Sequence, residues 1–418
     1  MNIFIDVVGC TANQSDASIA RFIFESNPGY QIVHTSKDAD LVLLFTCTVI
    51  ASTEQRMLSK IKAYQHNGKT IVVTGCMASI QTEQIKQINP DIICIPPTKI
   101  HQLLSYLSHE QPDEKISPHK FESKKHHLAL QAPIAISEGC DFSCSYCITT
   151  LARGNLKSVP PSIVKQDIVD ALQQGCKEIQ LTAQDTASYG RDRGTNLATL
   201  LKMIPTIQGI YRCRIGMMNP ASVLPQLDAL INSYHDLHIY KFLHLPIQSG
   251  DNELLHRMNR TYTIEDVTHI INRFRKQYPD ITIATDVIVG FPSETEKQHQ
   301  QTSEILKKIH PDIVNITKFS ARPHTKAKKL PQRIPTHIVK KRSTVLTDLV
   351  AALCLEKNKR YIGKTLPILI IEEGKQKTLI GRTNTYKPVV LHERVSLGDV
   401  VDVEINAASQ THLVGILK

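Results

Sequence analysis

The stretch "SEGCDFSCSYCITTLARGN", residues 137–155, places three cysteines within eight residues. Cys140, Cys144 and Cys147 have the spacing C-x3-C-x2-C and directly follow the apolar run "PIAIS". We call these three residues the loop trio. Three thiols this close could form a disulfide with one thiol left over, part of a zinc site, or an incomplete cluster site. Which of these applies depends on the rest of the chain.

Size and composition limit the class of protein. The chain has 418 residues, of which 41% are hydrophobic, and this is enough for two or three compact cores. The beginning, "MNIFIDVVGC", is typical of a core strand rather than a secretory signal, and no apolar run is long enough to cross a bilayer. We therefore expect a cytoplasmic protein with no membrane partner. In that compartment thiols stay reduced, and clustered cysteines bind metal or take part in chemistry.

The net charge favours an anionic partner. The chain carries 49 basic and 39 acidic residues, which gives a net charge of +10 and an isoelectric point near 9.0. Such an excess suits nucleic acid, because binding releases the counterions condensed on the phosphates. The alternative is a protein that is simply basic, and charge alone does not separate the two.

The first part of the chain alternates strand-like and helix-like segments. The runs "NIFIDVV", "LVLLFT", "TIVVTG" and "DIICI" are short and rich in β-branched residues, and "DASIARFIFES" and "STEQRMLSKIKAYQH" have helical spacing. This alternation predicts an open parallel α/β sheet in an N-terminal domain, residues 1–110. The polar, proline-containing segment that follows predicts a linker over residues 111–127.

Two further domains follow the linker. Residues 128–358 contain six strand–helix units, which predict a partial (βα)6 barrel of the TIM type. In such barrels, functional residues collect at the C-terminal ends of the strands. Residues 359–418 are β-rich and broken by glycine and polar turns, which predicts a small β-barrel of the kind that often holds single-stranded nucleic acid.

The chain has ten cysteines, and three of them share a position in the N-terminal domain. Cys10, Cys47 and Cys76 each stand at the C-terminal end of a predicted strand. We call them the strand-end trio. In an open parallel sheet these ends line one crevice, so the three thiols can converge there. We expect the remaining four cysteines to be packing residues: Cys94, Cys176, Cys213 and Cys354.

The loop trio has the composition of a cluster site. Thiolates are preferred ligands of both iron–sulfur clusters and zinc. A structural zinc site normally has four ligands, and no further Cys or His lies nearby in the loop. Three ligands on a four-iron cube leave one iron open for a substrate or cofactor. This favours a cluster, with structural zinc as the alternative.

At this point the residues carry a resemblance. "GCDFSCSYC" resembles the cluster loop of radical S-adenosylmethionine enzymes, in which the open iron binds the amino and carboxylate groups of that cofactor. The phrases "ARGNL", "LTAQDTASYGRDRGTNL", "RIGMMNP", "HLPIQSGDNELLHRMNR" and "TDVIVGFPSET" are similar to those of archaeal and eukaryotic tRNA methylthiotransferases. A three-cysteine α/β domain and a terminal TRAM-like barrel complete the resemblance to this family. Its substrate is N6-threonylcarbamoyladenosine beside the anticodon, at tRNA position 37.

The resemblance implies an enzyme, a radical sulfurtransferase with two [4Fe-4S] clusters and S-adenosylmethionine. The loop trio would hold the radical-generating cluster, and the strand-end trio an auxiliary cluster that carries the sulfur. S-adenosylmethionine would act twice, once to methylate the sulfur and once to activate C2 of the adenine. The two trios must then face one cavity. A tRNA substrate, an electron donor and a sulfur source are the implied partners, and the last two stay unidentified.

Six further residues at or near strand ends are candidate S-adenosylmethionine contacts: Tyr146, Gln184, Asp185, Gln248, Asp286 and Gly290. In the family, an aromatic residue at the position of Tyr146 often lies beside the cofactor's adenine. Gln184 and Asp185 occupy positions from which polar groups reach the ribose or methionine, and Gly290 would permit close backbone approach. The alternative for each is a residue of the barrel rim without ligand contact.

Basic residues are candidates for RNA contacts. Arg153 could bind the threonylcarbamoyl carboxylate or an RNA phosphate through its planar fork, or could be a salt-bridged surface residue. In the terminal barrel, contacts with phosphates would position the RNA rather than read its sequence, and a solvated basic face is the alternative. The candidates there are Lys375, Lys377, Arg382, Lys387 and Arg394.

Other functions are disfavoured. "GKT" occurs twice, but neither copy has the earlier glycine of a P-loop, and no G-x-G-x-x-G follows the first strand. The alternatives that stay open are a methylthiotransferase for isopentenyl-adenosine in tRNA, one for a ribosomal-protein aspartate, and a non-catalytic metal-containing RNA-binding protein. The sequence ends directly after the last predicted strand, so we expect no C-terminal membrane anchor.

Overall fold

The computed structural model describes residues 1–108, Lys120 and residues 130–418. Apart from Lys120, the predicted linker over 111–127 lies outside the described residues. None of the helices in the described ranges is both long enough and apolar enough to span a membrane.

The N-terminal domain is an open parallel sheet with the strand order β2-β1-β3-β4-β5. Its strands are β1 (Asn2–Val7), β2 (Gln31–Ile32), β3 (Leu41–Thr46), β4 (Thr70–Gly75) and β5 (Ile93–Ile95). Its α-helices are α1 (Thr11–Glu25), α2 (Ala51–His66), α3 (Cys76–Ile80), α4 (Thr82–Lys86) and α5 (Leu103–Ser108). The prediction of a parallel α/β sheet is confirmed, and the two-residue edge strand β2 is an addition.

The central strand of this sheet explains the arrangement. Every residue of β3, "LVLLFT", is buried, as expected for a parallel strand covered on both faces. Leu41, Leu43 and Phe45 pack in one core, and Leu44 packs in the other. Burial of both faces fixes the strand at the centre of the sheet, and the C-terminal ends of its neighbours therefore lie beside its own end.

The central domain is a partial barrel of six parallel strands in sequence order. They are β6 (Gln131–Ala135), β9 (Glu178–Thr182), β10 (Arg212–Ile215), β11 (Phe242–His244), β12 (Thr282–Val289) and β13 (Ile313–Lys318). They form two three-stranded sheets, β10-β9-β6 and β11-β12-β13, which a parallel bridge between Cys213 and Ile239 connects. The short strands β7 (Ser137–Glu138) and β8 (Lys157–Ser158) pair antiparallel on either side of the loop trio. The predicted partial barrel is confirmed.

Nine α-helices belong to this domain within the described residues. They are α6 (Thr149–Arg153), α7 (Pro161–Gln173), α8 (Leu197–Leu201), α9 (Pro220–Val223), α10 (Leu227–Ser233), α11 (Asn252–Arg257), α12 (Ile264–Gln277), α13 (Glu296–Ile309) and α14 (Thr336–Lys359). Helix α12 shows why they form: a capping box of Thr263 and Asp266 begins it, and its buried residues recur at helical spacing. The 3-10 helices are Pro97–Gln102, Thr186–Ser188, Arg191–Arg193, Ile204–Thr206, Leu224–Gln226, Lys326–Lys329 and Lys375–Lys377.

The C-terminal domain is a closed five-stranded barrel with the order β14-β15-β16-β18-β17. Its strands are β14 (Thr365–Glu373), β15 (Leu379–Thr383), β16 (Pro388–Leu391), β17 (Val400–Ala408) and β18 (Leu413–Leu417). The barrel contacts the N-terminal ends of the core strands, since Lys241 donates its backbone N–H to the Asn384 carbonyl at 2.9 Å. It therefore lies at the opposite end of the core barrel from the loop trio.

Candidate active site

A cavity of about 500 Å³ lies at the C-terminal ends of the core strands. All three thiols of the loop trio line it, and so does Cys10 from the N-terminal domain. Residues from both domains therefore share one chamber. Cys47 and Cys76 are not among the described residues that line it.

The loop trio is held by a narrow neck of backbone contacts. Gly139 has φ +79°, and a Cβ atom there would lie only 2.0 Å from the carbonyl oxygen of Asn155. The Gly139 N–H donates to Gln184 Oε1 at 2.7 Å, and the Cys140 N–H donates to the Gly154 carbonyl at 3.1 Å. Only glycine fits this close, left-handed turn, so the neck fixes where the loop leaves the barrel.

The loop thiols lie in a partly buried site beside a cation. Burial raises the pKa of Cys140 to about 12, and it also raises the pKa of Cys144. Arg260 opposes the shift at Cys144, because its Nη1 lies 3.1 Å from the Cys144 sulfur. A thiol with a raised pKa stays protonated until a metal ion binds its sulfur and displaces the proton.

The strand-end trio comes together through the sheet. Cys10 precedes α1, Cys47 follows β3, and Cys76 begins α3 directly after β4. At Gly75, φ is +90° and a Cβ atom would lie 2.3 Å from the carbonyl oxygen of Thr46, so the ends of β3 and β4 approach closely. The third strand end is tied in by Asn13, whose Nδ2 donates to the Thr46 carbonyl at 3.1 Å.

The three thiols also affect one another's pKa. Burial raises the pKa of Cys76 to about 11, and the neighbouring Cys10 and Cys47 raise it further. The guanidinium of Arg153 lies beside Cys76 and offsets part of this effect. Each trio therefore has an arginine next to one of its sulfurs, Arg260 for the loop trio and Arg153 for the strand-end trio.

The prediction of an RNA or substrate contact for Arg153 is wrong, because its partners lie inside the protein. The residue is only 4% exposed, and it pairs with Asp16 Oδ2 and Glu138 Oε1, each at 2.7 Å. Lys120 Nζ completes the network at 2.9 Å from Asp16 and 2.6 Å from Glu138. Asp16 belongs to the N-terminal domain and Glu138 to the core, so this interdomain network joins the two domains between the trios.

A second buried arginine joins the same domains at the other side of the strand-end trio. Arg322 Nη1 lies 2.7 Å from Glu54 Oε2 and 3.2 Å from the carbonyl oxygen of Thr48, the residue after Cys47. In addition, the Ala51 N–H donates to Ser320 Oγ at 3.1 Å. The position of Cys47 relative to the barrel is thus fixed by ionic contacts as well as by packing.

Five of the six predicted cofactor residues line the cavity: Tyr146, Gln184, Asp185, Gln248 and Asp286. Asp185 is already saturated, since it accepts hydrogen bonds from Ser188, Ser222 and two backbone N–H groups. Gly290 is not among the described residues that line the cavity, so its ligand contact stays a prediction. A Cβ atom there would meet Val339 of α14 at 2.5 Å, so this glycine accommodates helix packing.

The predicted RNA contacts of the terminal barrel divide into two groups. Lys375, Lys377 and Arg394 are exposed, and Arg382 is half-buried with its Cζ 4.6 Å from the centroid of the Tyr386 ring. The prediction for Lys387 is wrong, because its Nζ is buried and donates to Asp312 at 2.7 Å and Asn358 at 2.9 Å. Lys387 holds the terminal barrel against the core instead of facing solvent.

Sequence reasoning did not single out four charged or titratable residues of the cavity: Arg214, His244, Arg260 and Lys318. Arg214 lies in "RIGMMNP", His244 and Arg260 lie in "HLPIQSGDNELLHRMNR", and Lys318 lies in the strand run "IVNITKF". The available signal was a charged residue inside an otherwise apolar strand. Arg214 in "CRIGMM" is the clearest example.

The number of ligands bears on the zinc alternative. A structural zinc ion normally takes four ligands, whereas three thiols that line a chamber can hold a four-iron cluster with one iron open.

Comparisons with known proteins divide the chain in the same way. The Uncharacterized protein family UPF0004 matches residues 2–95, the Radical SAM superfamily matches residues 134–306, and the TRAM domain matches residues 359–418. The superfamily match implies one [4Fe-4S] cluster and S-adenosylmethionine as cofactors. The TsrM radical S-adenosylmethionine methyltransferase of Kitasatospora setae has a similar fold, with a TM-score of 0.55 at 12% identity over 78% of this chain and 76% of that one.

Full-length relatives give a finer assignment. A protein of Archaeoglobus fulgidus named "Probable threonylcarbamoyladenosine tRNA methylthiotransferase" is 38% identical over 100% of this chain and 99% of its own length. One of the same name from Pyrococcus horikoshii is 37% identical over 99% of both chains. The threonylcarbamoyladenosine tRNA methylthiotransferase of Drosophila melanogaster is 33% identical over 99% of this chain and 77% of its own. With this identity over its whole length, the chain belongs to the threonylcarbamoyladenosine tRNA methylthiotransferase family.

Proposed function

We propose that this protein is a radical sulfurtransferase that converts N6-threonylcarbamoyladenosine at tRNA position 37 to its 2-methylthio derivative. The observation that carries the proposal is the shared cavity, which Cys10 and the loop trio line together. A purely structural metal protein has no need for two incomplete three-cysteine sites, of which one lines this chamber and the other reaches it through Cys10. The names of the full-length relatives favour this nucleoside over isopentenyl-adenosine and over a ribosomal-protein aspartate.

The loop trio would hold the superfamily's cluster, and the strand-end trio a second, auxiliary cluster that carries the sulfur. When bound, the first cluster and S-adenosylmethionine supply the radical chemistry that activates C2 of the adenine. The protein's own residues would position the reactants and shield them from water. Tyr146 and Gln248 form cavity walls, and Gln184 fixes the neck of the loop through Gly139. Arg260 places positive charge beside the loop sulfurs.

The remaining assignments of the proposal concern partners and domains. Lys375, Lys377, Arg382 and Arg394 would contact tRNA phosphates, and the domains would span residues 1–110, 128–358 and 359–418. An electron donor and a source of replacement sulfur are required partners. A tRNA substrate places the reaction in the cytoplasm.

The test is anaerobic reconstitution of the full chain, followed by reaction with tRNA that carries N6-threonylcarbamoyladenosine. We expect a brown protein with about eight irons if both clusters form with four irons each. Mass spectrometry of nucleosides should then detect the 2-methylthio product, and tRNA with isopentenyl-adenosine should stay unmodified. A colourless zinc protein, or product from isopentenyl-adenosine alone, would contradict the proposal.

A further inference from the structure

The floor of the cavity is unusually polar for a barrel interior. TIM-type barrels normally fill this space with bulky branched side chains. Here Arg214 of β10, His244 of β11 and Asp286 of β12 line the cavity. We call these three residues the polar floor. A few polar groups at the base of an otherwise apolar chamber are typical of a site that orients a ligand.

Two members of the polar floor, His244 and Asp286, are hydrogen-bonded to each other. His244 Nε2 lies 2.8 Å from Asp286 Oδ2, and Asn315 Nδ2 donates to Asp286 Oδ1 at 2.7 Å. Burial would raise the pKa of Asp286, but His244 and Asn315 hold it below its ordinary value. The carboxylate of the floor is therefore occupied and is not a partner for Arg214.

Arg214 and Arg260, the two arginines that line the cavity, have no carboxylate partner among the described residues, unlike the buried arginines outside it. Arg153, Arg322 and Arg342 each pair with an Asp or Glu at 2.7–2.8 Å. Within the described residues, Arg214 has no acidic group within 4.0 Å, and its buried Nε makes no hydrogen bond. Glu178 is engaged elsewhere, by Tyr240, Tyr386 and Gln180.

Aromatic rings hold this guanidinium in place. Its Cζ lies 5.7 Å from the centroid of the Phe242 ring and 5.5 Å from that of Tyr386, a residue of the terminal barrel. A guanidinium that is fixed by rings, lines a cavity and lacks a counter-charge is prepared for an anion that enters the cavity. The planar fork of arginine matches a carboxylate through two parallel hydrogen bonds.

We propose that Arg214 binds the threonyl carboxylate of the substrate nucleoside and so makes the cavity selective for an adenine that carries an acid. This inference rests on the proposed function. It moves to Arg214 the role that the sequence suggested for Arg153, whose guanidinium is saturated by Asp16 and Glu138. The carboxylate of S-adenosylmethionine is the other source of this chemistry. We favour the nucleoside, because Arg260 is the arginine that contacts the loop trio.

The experiment compares two substrates with the reconstituted full chain. One is an anticodon stem–loop with N6-threonylcarbamoyladenosine, and the other has the threonyl carboxylate replaced by its neutral carboxamide. The wild type should prefer the acid, in kcat/KM for methylthiolation, by on the order of 100-fold. Arg214→Gln should bring this ratio close to one, and Arg214→Lys, which keeps the charge without the fork, should give an intermediate ratio.

Arg212→Gln is the matched control. Arg212 lies two residues earlier on the same strand and interacts with Asn384 of the terminal barrel, and it is not among the described residues that line the cavity. Its acid-to-amide ratio should equal that of the wild type. Iron content and the Kd for S-adenosylmethionine are measured for every variant, and Arg214→Lys carries the test if Arg214→Gln fails to retain iron.

Each other outcome overturns the inference in a recognisable way. An unchanged acid-to-amide ratio in both Arg214 variants would show that the carboxylate binds elsewhere. Equal losses for acid and amide, with a weaker Kd for S-adenosylmethionine, would assign Arg214 to the cofactor's carboxylate. Failure of the wild type to modify the acid substrate would be a failure of the proposed function itself, visible before any variant is made.

Discussion

The two cysteine trios differ in how the chain assembles them. The loop trio lies within one short segment whose neck is closed by Gly139 against Asn155. The strand-end trio comes from three strand ends, and its position depends on the whole N-terminal sheet and on the interdomain network around Arg153. A local site needs one correct turn, whereas a distributed site needs a correct fold and a correct domain contact. The two should therefore fail under different perturbations.

The largest expected effect comes from removal of the thiols. Alanine at any position of the loop trio should abolish cleavage of S-adenosylmethionine to 5′-deoxyadenosine, and methylthiolation with it. Alanine in the strand-end trio should leave cleavage intact and stop methylthiolation, with about four irons remaining per chain. Cys94→Ala is the control, since Cys94 packs against the core of the N-terminal domain, and it should keep both activities. Full methylthiolation in a strand-end variant would disprove the auxiliary site.

Replacement of a glycine at a close backbone contact should also impair one trio without impairing the other. In Gly139→Ala the new Cβ would clash with Asn155, so the loop should lose its iron and cleavage activity should fall. In Gly75→Ala the clash is with Thr46, and the loss should be confined to methylthiolation. The control is Gly154→Ala, which has a similar φ of +74° but no atom within 4 Å of the new Cβ, and should cost only about 1–3 kcal/mol of backbone strain. The iron content and Tm of the three variants measure these differences. If Gly154→Ala lost as much iron as Gly139→Ala, the positive φ and not the close contact would be what requires glycine in the neck.

Removal of the interdomain arginine should have a smaller and more selective effect. Arg153→Met leaves the buried Asp16 and Glu138 with Lys120 alone, which should cost about 3–5 kcal/mol of unfolding free energy. Methylthiolation should fall more than cleavage, because the strand-end trio loses its fixed position relative to the loop. Arg342→Met is the matched control: it breaks a buried pair with Glu294 inside the core and should lower stability while affecting both activities equally. The same selectivity in both variants would mean that general destabilisation, not domain position, is the cause.

The contrast between local and distributed features also explains what the sequence could predict. The six core strands, the N-terminal sheet and the terminal barrel follow from periodicity and from apolar runs, which are local properties. The cysteine positions at strand ends follow from the same patterns. The sequence pattern does not predict helix α14. Only four of its residues are buried, and two of them are the polar Arg342 and Asn358, so its periodic signal is weak.

Errors at individual side chains have a common physical origin. The sequence pattern suggests ligand contacts for Arg153 and Lys387, yet each side chain binds a carboxylate that is distant in sequence. Asp16 lies 137 positions from Arg153, and Asp312 lies 75 positions from Lys387. A charged residue in a loop has the same local pattern whether it faces solvent or a buried carboxylate. Only the assembled domains decide between the two. For the same reason, only the structure shows that Arg214 has no carboxylate partner among the described residues.

The smallest expected effect concerns pH and tests the distributed site through Asp16. Burial would raise the pKa of this carboxyl, but Arg153 and Lys120 hold it below its ordinary value. Because the folded pKa is below the unfolded value of about 3.9, Asp16 contributes its full stability above that pH and loses it as the pH falls further. The difference in unfolding free energy between the wild type and Asp16→Asn should therefore be constant near neutral pH. It should narrow below about pH 4, by at most about 1.4 kcal/mol per pH unit. Urea unfolding of both proteins from pH 7 to pH 3 measures this difference, and a gap that widens in acid would mean that Asp16 is protonated in the native network.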